Sequence, residues 1–583
     1  MLQFLKFVFA TIIGIVLFFV ICLFLLIGFA ASASKETIAT VKSNSVLKLD
    51  LNYNIPEKTV DNPFAGLSIG NPKLSKKAIG LTEIRQCITK AKTDDNIKGI
   101  YLDLDLNDNG YATLEVLREA LIDFRKSGKF VYGYGEIFTQ KAYYLATAAD
   151  KIYLNPNGGM ELKGFGREIM YYKGLFDKLG IQVQDFHCGA YKSAIEPFIR
   201  TDMSAANREQ LTMLYGGVYN QFLGDIAEAR KIDTATLGDI INNLKAETPE
   251  EDKALNLIDD VFYYDQVVDV MKAKIGVDKK KDLDMVDLGK YATTLSDDGG
   301  AGSKIAVVYA EGEIVGGEGK EDEIGGETFA KLIAKLRKDD KVKAIVLRVN
   351  SPGGSALASD VMWRELMLAK KDKPLVVSFG NVAASGGYYI ACMGDRIFAE
   401  PNTITGSIGV FGLLPNAQKC FTEKLGVTCD QVKVTKHGVL GGITSPLDET
   451  ESAIAQRNVE KTYREFKMRV AEGRGKDTAY IETIAQGRVW TGTQGIANGL
   501  VDEIGGLDQA VAFAAKKANL KEYKLKAYPE EKSMSEKIAE SFGDAKMNMV
   551  KEQLGDQYET YKTLQWLKQC KGTQMRMVYD LGL

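Results

Sequence analysis

Apolar and polar positions along the chain fall into three regimes. The first is a single uncharged run from Phe7 to Ala31, "FVFATIIGIVLFFVICLFLLIGFAA". About 20 consecutive apolar residues span a bilayer as a helix, whereas the apolar region of a secretory signal is only about 7–15 residues long. The run predicts a retained membrane anchor over residues 1–34. The second regime alternates short β-branched runs with segments whose apolar residues recur three and four apart. "IAVVYAEGEI", "AIVLRVN" and "PLVVSFG" read as strands, and "GGETFAKLIAKLRKD" and "ALASDVMWRELMLAKK" as helices. Such alternation predicts an α/β fold with largely parallel strands and right-handed crossovers. The third regime, 521–583, is charged and amphipathic, and predicts a helical extension for packing or assembly.

The middle regime contains itself twice. "DDNIKGIYLDLDLNDNG" from Asp94 matches "DDKVKAIVLRVNSPGGS" from Asp339. "KFVYGYGEIFTQKAYYLATAADKIYLNPNG" from Lys129 matches "PLVVSFGNVAASGGYYIACMGDRIFAEPNT" from Pro374. One ungapped offset of 245 residues aligns both pairs, setting Tyr143 against Tyr388 and Asp150 against Asp395. A fixed period of self-similarity marks a tandem duplication. The first copy is assigned to 44–295 and the second to 304–520. The polar, glycine-rich stretch at 296–303 is the linker between them.

Composition narrows the function. Lys and Arg number 74 against 77 Asp and Glu, for a net charge of −3, so no basic excess points to nucleic acid. Seven scattered cysteines without a CxxC pair, and only two histidines, give no clustered ligands for a metal. Neither a metal nor another cofactor is expected. Free thiols are the expectation, a Cys420–Cys429 bridge being the alternative.

Candidate chemistry comes from what the copies do not share. Ser385, in "NVAASGGYYIA", falls opposite Gln140. Gly353 and Gly354, in "SPGGS", fall opposite Asp108 and Asn109. A packing serine has no reason to accompany a distant glycine pair, but an acyl-transfer site needs both. Attack by a serine on a carbonyl creates an oxyanion, which backbone N–H groups stabilise. Glycines permit the close backbone approach this requires. "SPGG" follows directly on the strand "AIVLRVN", placing it at the carboxyl end of a sheet, where open α/β sheets bind ligands. Ser385 opens a helix, whose N-terminus favours negative charge.

A nucleophilic serine needs a base. His437 in "KVTKHGVLGG", its neighbour Lys436, and His187 are candidates. Lys192 in "GAYKSAIEPF" is another, set among small and apolar neighbours after the strand-like "IQVQDF". A lysine serves as base only when neutral, which requires its pKa to fall from roughly 10.4 through desolvation or nearby cations. On this reading one copy carries the serine and the other the lysine.

The motifs "YKSAIEPFIR", "SPGGSALAS", "NVAASGGYYIA", "TITGSIGVFG" and "GRVWTGTQGIANGLVDEIGG" resemble those of the signal peptide peptidases of the protease IV type, in their long duplicated form. The resemblance covers nearly the whole chain after the apolar run. It implies a Clp protease/crotonase-like fold in each copy and an ATP-independent serine endopeptidase with a Ser-Lys dyad. Carried over, Ser385 is the nucleophile and Lys192 the general base. Gly386 and either Gly353 or Gly354 supply the oxyanion N–H groups, and Ser407 of "TGSIG" offers a hydroxyl that orients the lysine. It further implies a bowl-shaped homotetramer, cleaved signal peptides and other apolar peptides as substrates, and a bacterial inner-membrane location with the catalytic body outside the cytoplasm. Three readings compete: a crotonase-like acyl-CoA enzyme, a non-catalytic membrane scaffold, and a Ser-His hydrolase using His437.

Overall fold

The computed structural model describes residues 38–59, 78–295, 302–320, 322–530, 572–577 and 581–583, with scattered positions in 6–21 and 553–565. Most of the expected anchor, and residues 296–301 of the expected linker, lie outside the described residues. Among the described residues no helix is long and apolar enough to cross a membrane.

Each copy folds around its own sheet. In the first, Asp260–Val261, Lys151–Met160, Phe130–Phe138, Ile97–Asp103, Ser45–Asp50 and Met285–Asp287 lie side by side, every neighbouring pair parallel. In the second, Leu375–Ala384, Val342–Ser351, Lys304–Glu311 and Lys524–Tyr528 repeat this parallel order. Arg396–Ala399 and Ile404–Gly406 both pair with Leu375–Ala384, at its two ends. The β-branched runs form these strands because both faces of each sheet are covered. Ile345, Leu347 and Val349 face the helix Ala356–Asp372, while Ala344 and Val346 face the helix Leu507–Lys517. Residues 245 apart do the same work. Tyr143 Oη donates to Leu257 O at 2.8 Å and Tyr388 Oη to Leu500 O at 2.9 Å. Asp150 accepts from Val131 N at 2.8 Å and Asp395 from Leu375 N at 3.0 Å.

Two expectations for the end of the chain change. Lys524–Tyr528 is a strand rather than helix, and extends the second sheet where Met285–Asp287 extends the first. Its lysines alternate with Leu525 and Ala527, an edge-strand pattern that charge alone disguises as a helix face. A further short strand, Gln574–Arg576, enters a third sheet.

That third sheet joins the copies. Its order is Glu323–Gly325, Glu313–Val315, Gly353–Ser355, Gln574–Arg576, Val410–Asn416 and Gln182–Cys188. The last pair crosses between copies: Gln182–Cys188 runs antiparallel to Val410–Asn416 through all seven of its residues. A buried ion pair also crosses. Arg348 meets Glu57 through two contacts, Nε to Oε2 at 2.9 Å and Nη2 to Oε1 at 3.1 Å, and donates to Ser378 Oγ at 2.8 Å. Removing one partner of a buried pair strands the other charge, at a cost of about 3–5 kcal/mol. Arg348→Met is therefore expected to lower stability by about that amount, read from the shift in denaturant midpoint at constant slope. A change within about 0.5 kcal/mol contradicts this account of how the copies are held.

Candidate active site

The strand Leu375–Ala384 ends in Ser385, which caps the six-residue helix Gly386–Ala391. Ser385 adopts φ 54° and ψ −115°, a left-handed conformation that costs a non-glycine residue about 1–3 kcal/mol. The turn is held on both sides, by Ser385 N donating to Gly406 O at 2.9 Å and Tyr389 N donating to Ser385 O at 2.8 Å. The serine is fully buried.

Lys192 arrives from the other copy. It lies just beyond the strand Gln182–Cys188, after a turn at Gly189, and Tyr191 N donates to Gln486 O at 2.9 Å. The register with Val410–Asn416 thus carries the lysine to the end of the second sheet. Lys192 Nζ lies 2.9 Å from Ser385 Oγ, 3.0 Å from Ser407 Oγ and 3.1 Å from Ser407 O. Its side chain is walled by backbone. A Cβ on Gly487 would stand 2.6 Å from Lys192 Cα, and one on Gly409 would stand 3.1 Å from Lys192 Cδ.

Burial holds the Lys192 amine well below its usual pKa of 10.5, with no carboxylate counteracting it. The contacts suit the neutral form. A neutral amine has two N–H groups and one lone pair. Ser407 O and Ser407 Oγ accept the two hydrogens, which leaves the lone pair for the Ser385 hydroxyl proton. Ser407 is itself held at φ 50°, with its N–H on Arg488 O at 2.7 Å.

The glycine loop closes over the same point. Gly353 and Gly354 have φ of 92° and 156°. A Cβ on Gly353 would lie 2.5 Å from Gly386 N, so a side chain there would obstruct the helix start. The Gly353 N–H is taken by Ser351 Oγ at 3.1 Å. The Gly354 N–H lies opposite Met575 in the antiparallel ladder with Gln574–Arg576.

All six residues singled out from the sequence meet here: Ser385, Lys192, Ser407, Gly386, Gly353 and Gly354. The other candidate bases do not contact Ser385. His187 is exposed and its Nδ1 lies 3.0 Å from Asp185 Oδ2. His437 Nδ1 lies 2.7 Å from Glu451 Oε1, and Lys436 beside it is exposed. His437, Asp448 and Glu451 also bring donor atoms within 4.8 Å of one another, but Asp448 and Glu451 are occupied as the capping box of the helix Glu449–Arg474. Cys420 and Cys429 are free thiols. Gly409 and Gly487 escaped the sequence reading as site residues, because a glycine signals a close approach without naming its partner.

The first copy has filled the matching place. Asn109, opposite Gly354, accepts from Ile55 N at 2.7 Å and donates to Tyr53 O at 2.9 Å. Gln140, opposite Ser385, accepts from Gly164 N at 2.8 Å and donates to Tyr111 Oη at 3.1 Å. Side-chain amides there satisfy backbone groups where the second copy has a glycine and a serine.

Comparison with known proteins agrees with this architecture. The sequence pattern of Peptidase family S49 matches residues 123–278 and again 367–521, and that of Clp protease matches 300–405. The chain is 35% identical over 550 residues to Protease 4 of Salmonella typhi, covering 92% of this chain and 88% of that one. It is 33% identical to Protease 4 of Haemophilus influenzae, covering 97% and 90%. It is 35% identical to the chloroplastic Serine protease SPPA of Arabidopsis thaliana, covering 82% and 70%. With two matches to one peptidase pattern in one chain, and relatives aligned over most of their length, the chain belongs to peptidase family S49 as a serine peptidase of the duplicated protease IV type.

Proposed function

We propose that the chain is a membrane-anchored endopeptidase with a Ser-Lys dyad drawn from its two copies, degrading cleaved signal peptides and other apolar peptides. The observation that carries this reading is the buried Lys192 Nζ, 2.9 Å from Ser385 Oγ with no carboxylate beside it. Neutral Lys192 takes the Ser385 proton as Oγ attacks a peptide carbonyl carbon. The N–H groups of Gly386 and Gly354 receive the oxyanion. The Lys192 ammonium then protonates the departing amine. Water, deprotonated by the same lysine, hydrolyses the acyl-serine ester. Ser407 orients the amine throughout.

The wider setting is part of the same proposal. The run Phe7–Ala31 anchors the body beside the bilayer, outside the cytoplasm, where cleaved apolar peptides collect. Four copies assemble into a bowl whose narrow opening excludes folded proteins. No feature of the geometry favours an acyl-CoA enzyme, a scaffold or a Ser-His hydrolase.

Three outcomes are expected. Wild type labels with a fluorophosphonate and cleaves a leucine-containing reporter peptide, whereas Ser385→Ala and Lys192→Ala each lose at least about 10³-fold in kcat/KM. For wild type, kcat/KM rises with pH along a limb set by deprotonation of Lys192, well below 10.5. Full activity in Lys192→Ala, or a limb at the ordinary lysine value, sinks the dyad.

Gly487→Ala tests the packing of the lysine. Its φ of 84° and the 2.6 Å approach to Lys192 Cα mean an added methyl must displace the base. A displacement of about 1 Å at a catalytic group costs on the order of 10² in rate. Unchanged kcat in a folded Gly487→Ala enzyme contradicts it.

Lys192→Met tests the burial. With the folded-state pKa below the unfolded one, the unfolded chain binds more protons between those two values, so stability rises with pH across that window. Below the window the folded state keeps the full penalty of an amine out of its protonated reference state. The inactive Met variant lacks the penalty and is expected to melt about 2–4 °C higher at pH 7, for on the order of 1 kcal/mol in a domain of this size. The difference should shrink as pH approaches 10.5. A variant less stable than wild type at pH 7 contradicts a buried neutral lysine.

A further inference from the structure

Residues 486–490 of the second copy lie against all three turns of the site. Gly487 packs on Lys192, where a Cβ would stand 2.6 Å from Lys192 Cα. Arg488 O accepts from Ser407 N at 2.7 Å. Trp490 reaches the Ser385 turn through Gly406, whose carbonyl oxygen accepts from Ser385 N. A Cβ on Gly406 would stand 2.7 Å from Trp490 Cδ1. The strand Val489–Thr491 fixes this placement by pairing antiparallel with Ile404–Gly406, Gly406 against Val489 and Thr405 against Trp490.

One side chain of the segment spans the copies. The Arg488 guanidinium carbon lies 4.8 Å from the centre of the Tyr191 ring and 4.7 Å from the centre of the Trp490 ring. A planar cation is attracted to aromatic faces and stacks on them. Tyr191 belongs to the first copy and immediately precedes Lys192. The contacts therefore run from the lysine turn to the serine turn in the order Tyr191, Arg488, Trp490, Gly406. Glu209 of the first copy pins the middle member: its Oε1 lies 3.0 Å from Arg488 Nη2, and its Oε2 accepts from Tyr191 Oη at 3.2 Å. Buried Gln210 ties the same two strands of chain, donating from Nε2 to Tyr191 O at 2.9 Å and accepting at Oε1 from Val489 N at 3.3 Å.

The copies differ here as they do at Ser385. Thr248 and Thr491 each cap the helix that follows, and Leu257 and Leu500 each accept from a buried tyrosine, so an offset of 243 aligns this part of the chain. Opposite Gly487, Arg488 and Trp490 the first copy has Leu244, Lys245 and Glu247. Lys245 pairs with Asp239 of its own copy. The fold thus forms without the glycine, the arginine or the tryptophan, and all three occur where the lysine and serine must meet.

We propose that Arg488 is a positioning residue for the dyad, its guanidinium holding the Tyr191–Lys192 turn against the turn of Ser385. This rests on the dyad proposed above. The lysine turn leaves its strand at Gly189, where φ is 108°, so its angle depends on what Tyr191 leans on. A plane held by two rings and a carboxylate supplies that support. Arg488 acts through Tyr191 and Trp490 and leaves the reacting atoms to Lys192 and Ser385. A lysine at 488 would keep the charge beside Glu209 but has no plane to stack.

The test is reporter-peptide cleavage across pH by wild type, Arg488→Lys, Arg488→Ala and Lys192→Ala. Fluorophosphonate labelling, run to completion, counts the competent sites of the two Arg488 variants. Arg488→Lys is expected to lose at least about tenfold in kcat per labelled site while KM changes less than about threefold. The rising limb of kcat/KM should move up toward 10.5, because a loosened turn admits water to the Lys192 amine. Arg488→Ala should show both changes to a greater degree; if it does not fold, Arg488→Lys alone decides. A variant that melts lower yet keeps the wild-type kcat per site and pH limb overturns positioning and leaves the peptidase standing. A loss confined to KM overturns it as well, by placing Arg488 on the substrate. Wild-type behaviour in Arg488→Lys beside an impaired Arg488→Ala overturns the stack in favour of charge. An active Lys192→Ala overturns the dyad, and this inference with it.

Discussion

A lysine amine accepts a proton near neutral pH only if its ammonium form is denied water and counter-charge. Much of this molecule serves that condition at Lys192. Strand pairing between copies brings the residue in, and the backbone of Gly487 and Gly409 closes against its stem. Side chains at those glycines would open the wall, and with it a path for solvent. The acceptors that remain are two oxygens of one residue, Ser407, and both are uncharged. A carboxylate in their place would hold the proton on the lysine and disable it as a base.

Backbone strain sits beside Lys192. Ser385 and Ser407, the two serines in contact with Lys192 Nζ, both have positive φ. Each is tied by its own N–H to a neighbouring strand or turn, Ser385 to Gly406 and Ser407 to Arg488. Conformations that cost energy persist only where their surroundings over-determine them. Here the burial of two sheets supplies that surplus. At the matching places the first copy carries no such strain: Gln140 and Asn109 have no positive φ and bond to nearby backbone. In the proposed dyad one copy contributes the lysine and the other the serine and the glycine loop.

The α/β class and the duplication were legible because buried parallel strands and amphipathic helices impose different periods, and both copies keep them in register. Ser385 and the glycine pair were legible as differences between copies. Lys192 needed the resemblance to be preferred over His437, because nothing local to "GAYKSAIEPF" reports a strand pairing with residues 410–416. Three features were not legible. That the Gly353 N–H is occupied by Ser351 Oγ depends on a side chain two residues away. Lys524–Tyr528 reads as a charged helix because its lysines mask an edge strand. "QMR", at 574–576, is too short for any period to mark, and its place is set by the slot that receives it.

The site also depends on contacts away from it. Elements that end at the active residues carry polar links to the first copy shortly before they reach them. Arg348, which binds Glu57, precedes Ser351 and the glycine loop on one strand. Asn381, on the strand that ends at Ser385, accepts from Thr113 N at 2.9 Å and donates to Thr113 Oγ1 at 2.8 Å. Asn402, five residues before Ser407, donates to Glu115 Oε2 at 3.1 Å and Oε1 at 2.7 Å. Each link fixes the height of one strand end against the copy that supplies the lysine. In the dyad proposed above, proton transfer between Ser385 and Lys192 needs a narrow range of heavy-atom distance, and these buried links hold that distance. A shift between the copies would move every strand end relative to Lys192 together, so the interface sets the Ser385–Lys192 distance as well as the stability.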